Sequence, residues 1–225
     1  MKTIGILAGM GPRSTSPFLE LVLNQCQQQY GAKNDIDFPH ILIYSLPTPF
    51  YIDREIDDNA LRKSIEDGVK RFESCGVDFI AIPCNSAHKY FDSLVKVANV
   101  PILNIIEETL KNIEGSSTVT IFATETTISS GLYQAGLDDS GCKYYFDSSW
   151  QKRVNEIIKM IKANSDIDNV REKWDSLIEQ VVDSGIDTVI IACTDLNVVL
   201  SDKERVKIVD SSESLAAAVV KKYLE

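Results

Sequence analysis

The sequence predicts an α/β protein with two similar lobes, each a mainly parallel sheet flanked by helices, related by a pseudo-two-fold axis. The first observation is a segment that occurs twice at an offset of 109 residues, close to half of the 225-residue chain. The second is that each copy holds a continuous apolar run, which is typical of a parallel strand buried on both faces. The third is the alternation of strand-like and helix-like segments, which favours parallel sheets.

The repeated segment has the same layout in both halves. Residues 75–85 read Cys-Gly-Val-Asp-Phe-Ile-Ala-Ile-Pro-Cys-Asn, and residues 184–194 read Ser-Gly-Ile-Asp-Thr-Val-Ile-Ile-Ala-Cys-Thr. In each copy a glycine ends a helix, an apolar run follows, and a cysteine stands where the run stops. Because the carboxyl ends of parallel strands line the crevice in which α/β proteins bind ligands, we expect Cys84 and Cys193 at equivalent positions beside a ligand.

The first predicted lobe covers residues 1–114 and carries Cys84. A long loop, residues 46–58, follows its second strand and is of the kind that carries binding residues. The strands are expected at residues 3–7, 41–45, 79–82 and 101–104, and the helices around residues 18–29, 61–72 and 105–112.

The second predicted lobe covers residues 115–225 and carries Cys193. Asp210 with Glu213 three residues on resembles a capping box for a final helix, which could pack back on the first lobe. The active site is expected in the cleft between the lobes. The strands are expected at residues 119–122, 143–146, 189–192 and 207–209, and amphipathic helices around residues 154–161 and 174–181.

Composition limits the class of partner. Hydrophobic residues make up 44% of the chain and the formal net charge is −10, which argues against nucleic acid and anionic membranes as partners. No apolar stretch approaches the roughly 18 residues of a membrane span, and the glycines and proline of residues 9–12 interrupt any signal-peptide core. Five cysteines without framework spacing indicate reduced thiols and a cytoplasmic location.

Two of the cysteines are candidates for acid/base chemistry. A thiol becomes reactive when nearby donors lower its pKa, often at a helix N-terminus, and helix starts are expected directly after Cys84 and Cys193. Two thiols on opposite sides of one carbon suit inversion, because one thiolate can remove a proton while the other thiol returns one to the opposite face. The remaining cysteines are expected to be buried and structural: Cys26, Cys75 and Cys142.

The histidines allow two interpretations each. His88 lies four residues after Cys84, so it could activate that thiol as a nucleophile, or it could be a helix-start histidine with its own hydrogen-bond partner. His40 is expected to be structural. With two histidines in the chain and no cluster of metal-ligand spacing, neither zinc nor another metal is expected. No lysine context indicates pyridoxal phosphate.

Several groups could bind a carboxylate. The glycine turn at residues 9–15 is neither a dinucleotide nor a Walker motif, but its backbone amides could hold a carboxylate at a helix start. Arg54 and Lys162 are candidate clamps, or else ordinary surface charges. The hydroxyls that follow the equivalent strand of the second lobe are either substrate ligands or a helix cap: Thr124, Thr126 and Thr127.

Three motifs in this chain resemble the signatures of the aspartate/glutamate racemase superfamily, and most closely its cofactor-independent aspartate racemases. The motifs are Gly-Met-Gly-Pro at residues 9–12, Pro-Cys-Asn-Ser-Ala-His at 83–88 and Ala-Cys-Thr-Asp-Leu at 192–196. The resemblance extends from Met1 to the final helix. It implies two α/β lobes, a homodimer, a small acidic amino acid as substrate and no cofactor.

The resemblance also implies roles for individual residues. Cys84 and Cys193 would be the two acid/base residues that interconvert L- and D-aspartate, with glutamate as a further substrate. Lys162 would bind the side-chain carboxylate of the substrate, and Arg54 would match a family arginine only if its loop is longer here. The other carboxylate-binding positions would be Met10, Gly11, Asn85, Ser86, Thr124, Thr126, Thr127 and Thr194.

Two further observations bear on the reaction. The sequence departs from the family pattern at several positions, among them Asp195, where glutamate is commoner. Other members of the superfamily are isomerases or decarboxylases, but two thiols and Lys162 favour racemisation because decarboxylation needs one protonating thiol. A Cys84-His88 thiol hydrolase or transferase and a non-catalytic binder of acidic amino acids are the remaining alternatives.

Overall fold

The computed structural model describes residues 2–51, 54–200 and 205–225. The chain divides into two compact units, one of Met1–Glu108 with Ser212–Glu225 and the other of Thr109–Ser211. The lobe limits 1–114 and 115–225 remain a prediction about the internal repeat.

The first unit is built on a parallel sheet of four strands in the order β2-β1-β3-β4. The strands are β1 (Thr3–Ala8), β2 (His40–Ser45), β3 (Phe79–Ala81) and β4 (Ile102–Leu103). The helices that follow them are α1 (Thr15–Tyr30), α2 (Asp58–Glu73), α3 (Phe91–Val97) and α4 (Ile105–Leu110), the last of which runs into the second unit.

The second unit repeats this topology with the order β6-β5-β7-β8, again parallel throughout. Its strands are β5 (Thr118–Ala123), β6 (Lys143–Tyr144), β7 (Thr188–Ala192) and β8 (Lys207–Asp210). Its helices are α5 (Glu125–Ser130), α6 (Leu132–Asp139), α7 (Ser148–Lys162) and α8 (Ile167–Asp183), and α9 (Ser211–Leu224) returns the chain to the first unit. The predicted α/β class is therefore confirmed.

The repeated segment forms the same junction in both sheets. In the first, the backbone N–H of Thr3 donates to Oδ2 of Asp78 at 2.6 Å, and the N–H of Asp78 donates to the carbonyl of Thr3 at 2.9 Å. In the second, Thr118 and Asp187 form the same two bonds at 2.7 and 3.0 Å. Each aspartate thereby aligns the start of the central strand with the start of its neighbour.

Each unit has its own apolar core. The residues of α2 that recur at helical spacing are buried against the first sheet: Leu61, Ile65, Val69 and Phe72. In the second unit α7 and α8 bury their predicted apolar faces, and the Trp174 ring meets Phe122 edge-on with 5.8 Å between centroids. Every residue of the central strands β3 and β7 is buried, and the cysteines follow those strands.

Gly9 forms a tight turn directly after β1. Its φ of +91° lies in the left-handed region, and the N–H of Leu46 donates to the carbonyl of Ala8 at 2.9 Å beside it. A Cβ at position 9 would lie 2.5 Å from the Leu46 nitrogen and 2.6 Å from its carbonyl oxygen. Only glycine therefore fits where the chain turns from β1 into the Met10-Gly11 segment.

We expect Gly9→Ala to destabilise the protein strongly. The added methyl group collides with backbone that cannot rotate away and imposes an unfavourable φ, so the free energy of unfolding should fall by at least about 3 kcal/mol. Gly31→Ala is the matched control, because Gly31 has a φ of +73° but open space around its Cβ. It should cost only about 1 kcal/mol. Urea denaturation followed by circular dichroism measures both, and equal losses would contradict the steric argument.

Candidate active site

Cys84 stands at the carboxyl end of the central strand of the first sheet. It follows β3 after Ile82 and Pro83, and its N–H donates to the carbonyl of Ile82 at 2.8 Å. Cys84 is half-buried, and its neighbour Asn85 is buried. The helix start expected here is a single 3₁₀ turn, Ser86–Tyr90, so backbone N–H groups follow the cysteine closely.

His88 is fully buried and does not use its ring to activate the Cys84 thiol. Its Nδ1 lies 2.9 Å from the carbonyl oxygen of Cys84, and its Nε2 lies 3.2 Å from the backbone N–H of Ile105. Since that N–H can only donate, Nε2 is the unprotonated acceptor and Nδ1–H donates to Cys84. The carbonyl oxygen of Leu103 lies 3.4 Å from Nε2, but with this tautomer neither atom has a proton to donate, so the two ring bonds are those to Cys84 and Ile105. These bonds tie the Cys84 loop to the start of α4 and favour the structural interpretation of His88.

Burial also keeps His88 neutral. Loss of solvation lowers its pKa from the ordinary value of 6.5, and the carbonyl oxygens of Cys84 and Leu103 oppose the shift only in part. The ring stacks on Phe91 with 5.4 Å between centroids, and the residue is almost completely buried. An imidazole whose two ring nitrogens are both bonded to backbone groups, and whose pKa is lowered, is poorly suited to take a proton from a thiol.

Cys193 occupies the equivalent position in the second sheet. It is buried directly after β7 and precedes the 3₁₀ helix Thr194–Val199, and its carbonyl accepts from the N–H of Leu196 at 3.0 Å. Its Sγ lies 3.9 Å from Oδ2 of Asp195. Thr194 and Asp195 are also buried, so polar side chains surround this thiol in an otherwise apolar setting.

Lys162 is joined to the Cys193 loop by an ion pair. Its Nζ lies 2.7 Å from Oδ2 of Asp195, and the side chains are 21% and 9% exposed respectively. Lys162 is the last residue of α7, where the helix dipole favours a cation. Lys162 was predicted as a candidate clamp, but its partner was not predicted. The signal in the sequence was the carboxylate of Asp195, two residues after Cys193.

The turns beside the two cysteines are also equivalent. In the first sheet β1 leads to Met10 and Gly11, and the Gly11 carbonyl accepts from the Ser14 hydroxyl at 2.8 Å. In the second, β5 leads to Thr124, which caps α5 by accepting from the N–H of Thr127 at 3.3 Å. Neighbouring strands in register place each turn at the same sheet edge as the cysteine of its unit.

The threonines that follow β5 differ in their surroundings. Thr127 is buried, and its hydroxyl lies 3.2 Å from that of Thr124. Thr126 is half-buried in the first turn of α5. The capping interpretation is therefore correct for Thr124, and its hydroxyl still lies at the sheet edge beside β7.

Arg54 lies in the predicted binding loop and is exposed. Its guanidinium carbon is 4.7 Å from the centroid of the Tyr51 ring, a cation–π contact. Residues 52 and 53 of the predicted loop lie outside the described residues.

The other cysteines only partly match expectation. Cys26 and Cys142 are buried as predicted. Cys75 is exposed, which corrects the prediction, because it lies where the chain leaves α2 for the turn at Gly76 and its Sγ reaches only the Arg71 carbonyl at 3.8 Å.

The described part of the chain has neither a cluster of metal-ligand side chains nor a membrane-spanning helix. There, no three or more histidine, cysteine, aspartate or glutamate side chains cluster as metal ligands would. Among the helices of residues 2–51, 54–200 and 205–225, none is long and apolar enough to cross a membrane.

Comparison with known protein families identifies the chain. The Asp/Glu/hydantoin racemase family model matches residues 7–219. The chain belongs to this racemase family. The recognition made from the three motifs is thus confirmed, and so is the coarse prediction of an amino-acid racemase.

Three proteins similar to this racemase have names or titles that describe them as racemases. The broad specificity amino-acid racemase RacX of Bacillus subtilis (strain 168) is 46% identical over 223 residues, which cover 98% of each chain. The structure of Picrophilus torridus aspartate racemase is 29% identical, with a TM-score of 0.82 over 99% of this chain and 94% of that chain. The glutamate racemase isoform RacE1 of Bacillus anthracis shares the fold, with 15% identity, a TM-score of 0.67 and coverage of 99% and 82%.

We expect His88 to make the stability of this racemase depend on pH. Its pKa is lowered in the folded state, so below the ordinary value only the unfolded chain takes up the proton, and stability falls as the pH drops. The wild type should lose up to about 1.4 kcal/mol per pH unit between about pH 6.5 and pH 5.

The variant His88→Gln should lack that slope, whatever its stability at neutral pH. His40→Gln, at the exposed start of β2, is the control for removing a histidine. Urea titrations at several pH values give the slopes. The same slope in His88→Gln as in the wild type would contradict the assignment.

Proposed function

We propose that the chain is a cofactor-independent racemase that interconverts L- and D-aspartate, and further amino acids, through two cysteines. The observation that carries the proposal is the equivalence of Cys84 and Cys193, each beyond the carboxyl end of a central strand of a parallel sheet and each preceding a 3₁₀ helix. The membership of the racemase family supports the reaction type. The aspartate racemase of Picrophilus torridus and broad-specificity RacX support aspartate within a wider substrate range.

The proposed reaction is a two-base proton exchange. One thiolate removes the α-proton of one enantiomer, and the electron pair is held by the adjacent carboxylate as an enolate-like intermediate. The other thiol then donates its proton to the opposite face of the same carbon. The enzyme ends with the proton on the first sulfur and the thiolate on the second, ready for the reverse enantiomer.

The proposed ligands of the substrate carboxylates come from both repeats. Backbone N–H groups after β1 and after the cysteines can donate hydrogen bonds to a substrate carboxylate without a cation, as they do at helix N-termini. Lys162 and Arg54 are the proposed cationic contributors. The neutral and backbone contributors are proposed to be Met10, Gly11, Asn85, Ser86, Thr124, Thr126, Thr127 and Thr194. A homodimer in the cytoplasm completes the proposal.

We expect the purified protein to racemise L-aspartate without any added cofactor. After dialysis against EDTA and hydroxylamine, chiral chromatography should show D-aspartate forming from L-aspartate in the presence of a reducing agent. L-Glutamate and several neutral amino acids belong in the same panel, together with maleate and an arylmalonate as substrates of other reaction types. Activity that returns only with pyridoxal phosphate or a metal ion would overturn the cofactor-independent mechanism, and turnover of maleate alone would favour another isomerase.

We expect replacement of either cysteine to abolish racemisation. Cys84→Ser and Cys193→Ser each replace a thiol by a far weaker acid, so the rate should fall by about a thousandfold or more. Cys75→Ser is the control, because that thiol is exposed. An amino acid with a leaving group on the β-carbon separates the two roles, since elimination needs proton abstraction only.

Each serine variant should eliminate from one enantiomer, and the two variants from opposite enantiomers. In heavy water, product from the wild type should carry deuterium at the α-carbon while the remaining substrate stays largely protonated. Normal racemisation by Cys193→Ser would refute the two-base mechanism.

A further inference from the structure

We infer that Asp195 is a specificity-determining residue, because it neutralises Lys162 and makes the side-chain subsite of the racemase net uncharged. The substrate class is then amino acids with neutral as well as acidic side chains, with no strong preference for a second carboxylate. The inference rests on the proposed function and deepens it.

The ion pair has the geometry of a lasting contact. The 2.7 Å separation of Nζ and Oδ2 is that of a charge-assisted hydrogen bond. Asp195 is almost completely buried and Lys162 largely so, and charges attract more strongly where solvent is scarce. By contrast, Lys173 with Glu156 and Lys207 with Glu114 pair on the exposed surface, where such contacts are weak.

The pair is located at the reacting group and not at a remote surface. Oδ2 of Asp195, the oxygen that binds Lys162, is also the oxygen 3.9 Å from the Sγ of Cys193. The ammonium, the carboxylate and the thiol therefore form one chain of contacts. Because these contacts begin at the thiol that is proposed to meet the α-carbon, they are the charged groups that a substrate side chain attached to that carbon would meet beside Cys193.

An acidic side chain gains little from a lysine that is already neutralised. A carboxylate approaching Nζ also approaches the Asp195 carboxylate, and the repulsion offsets the attraction. To take over the ammonium it would have to leave Asp195 buried without its partner, which is unfavourable. A substrate side chain that ends in an amide, a hydroxyl or a methyl group does not have to displace Asp195 from the Lys162 ammonium, so its binding carries no such cost.

Aspartate and asparagine are a matched substrate pair for the test, because they differ in charge at nearly equal shape. In Asp195→Asn the ammonium is no longer neutralised. The ratio of kcat/KM for L-aspartate to that for L-asparagine should rise about tenfold, mainly through KM for L-aspartate. Asp175→Asn on the exposed face of α8 removes the same charge elsewhere and should leave the ratio unchanged. Asp195→Glu keeps the charge and should also keep the ratio.

A binding measurement keeps the test decisive if catalysis is lost. Calorimetry should show that Asp195→Asn binds succinate about tenfold more tightly than the wild type does, while affinity for succinamate, its monoamide, stays the same. The converse variant Lys162→Gln exposes the Asp195 charge and should favour a cationic amino acid, L-ornithine, over L-aspartate. This variant decides the question if Asp195→Asn does not fold.

The outcomes separate the two proposals. The inference is wrong, and Asp195 is structural, if folded Asp195→Asn changes kcat/KM for L-aspartate and for L-asparagine by the same factor. Here the same factor means agreement within about twofold, the effect of an ordinary surface substitution. A wild-type protein that already prefers L-aspartate to L-asparagine by more than about a hundredfold would also overturn it. If the wild type racemises no amino acid, the proposed function fails, and the succinate and succinamate affinities still measure whether the subsite is neutral.

Discussion

In each sheet one aspartate carboxylate accepts a hydrogen bond from the start of the first strand, and the site depends on this constraint. Asp78 and Asp187 hold the backbone of Thr3 and Thr118 and so fix where the central strand begins relative to its neighbour. A slip of one residue would turn every side chain of that strand to the other face. Since the cysteine follows a short strand, fixing the start also fixes the thiol at the sheet edge, beside the turn after β1 or β5.

The repeat duplicates the position of the thiol but not its surroundings. In the first unit a neutral, buried histidine binds the backbone of the Cys84 loop. In the second unit a buried ion pair reaches the Cys193 sulfur itself. The proposed proton transfer needs the two thiols to alternate between acid and base, and different surroundings are compatible with those equivalent roles. The ion pair that we propose to discriminate between substrate side chains lies in the second unit.

The sequence predicted what local periodicity and the repeat determine. The long strands, the apolar faces of α2, α7 and α8, and the equivalence of the cysteines all follow from residue patterns. Helices α3, α5 and α6 were given no bounds, since a helical period is weak over eight residues or fewer, although the equally short α4 was predicted around residues 105–112. The pair of Lys162 and Asp195 was missed because its members are 33 residues apart, and only the folded chain brings the end of α7 to the Cys193 loop.

The net negative charge of the chain agrees with the proposed uncharged subsite. A net charge of −10 repels an anionic substrate at long range, so an enzyme for dicarboxylates alone would need unopposed cations near its thiols. Here the partly buried ammonium of Lys162 is opposed by Asp195. An amino acid with an uncharged side chain is a zwitterion without net charge, and it meets neither the global repulsion nor the local exchange of partners. The field of the whole chain and the ion pair beside Cys193 therefore favour the same broad class of substrate.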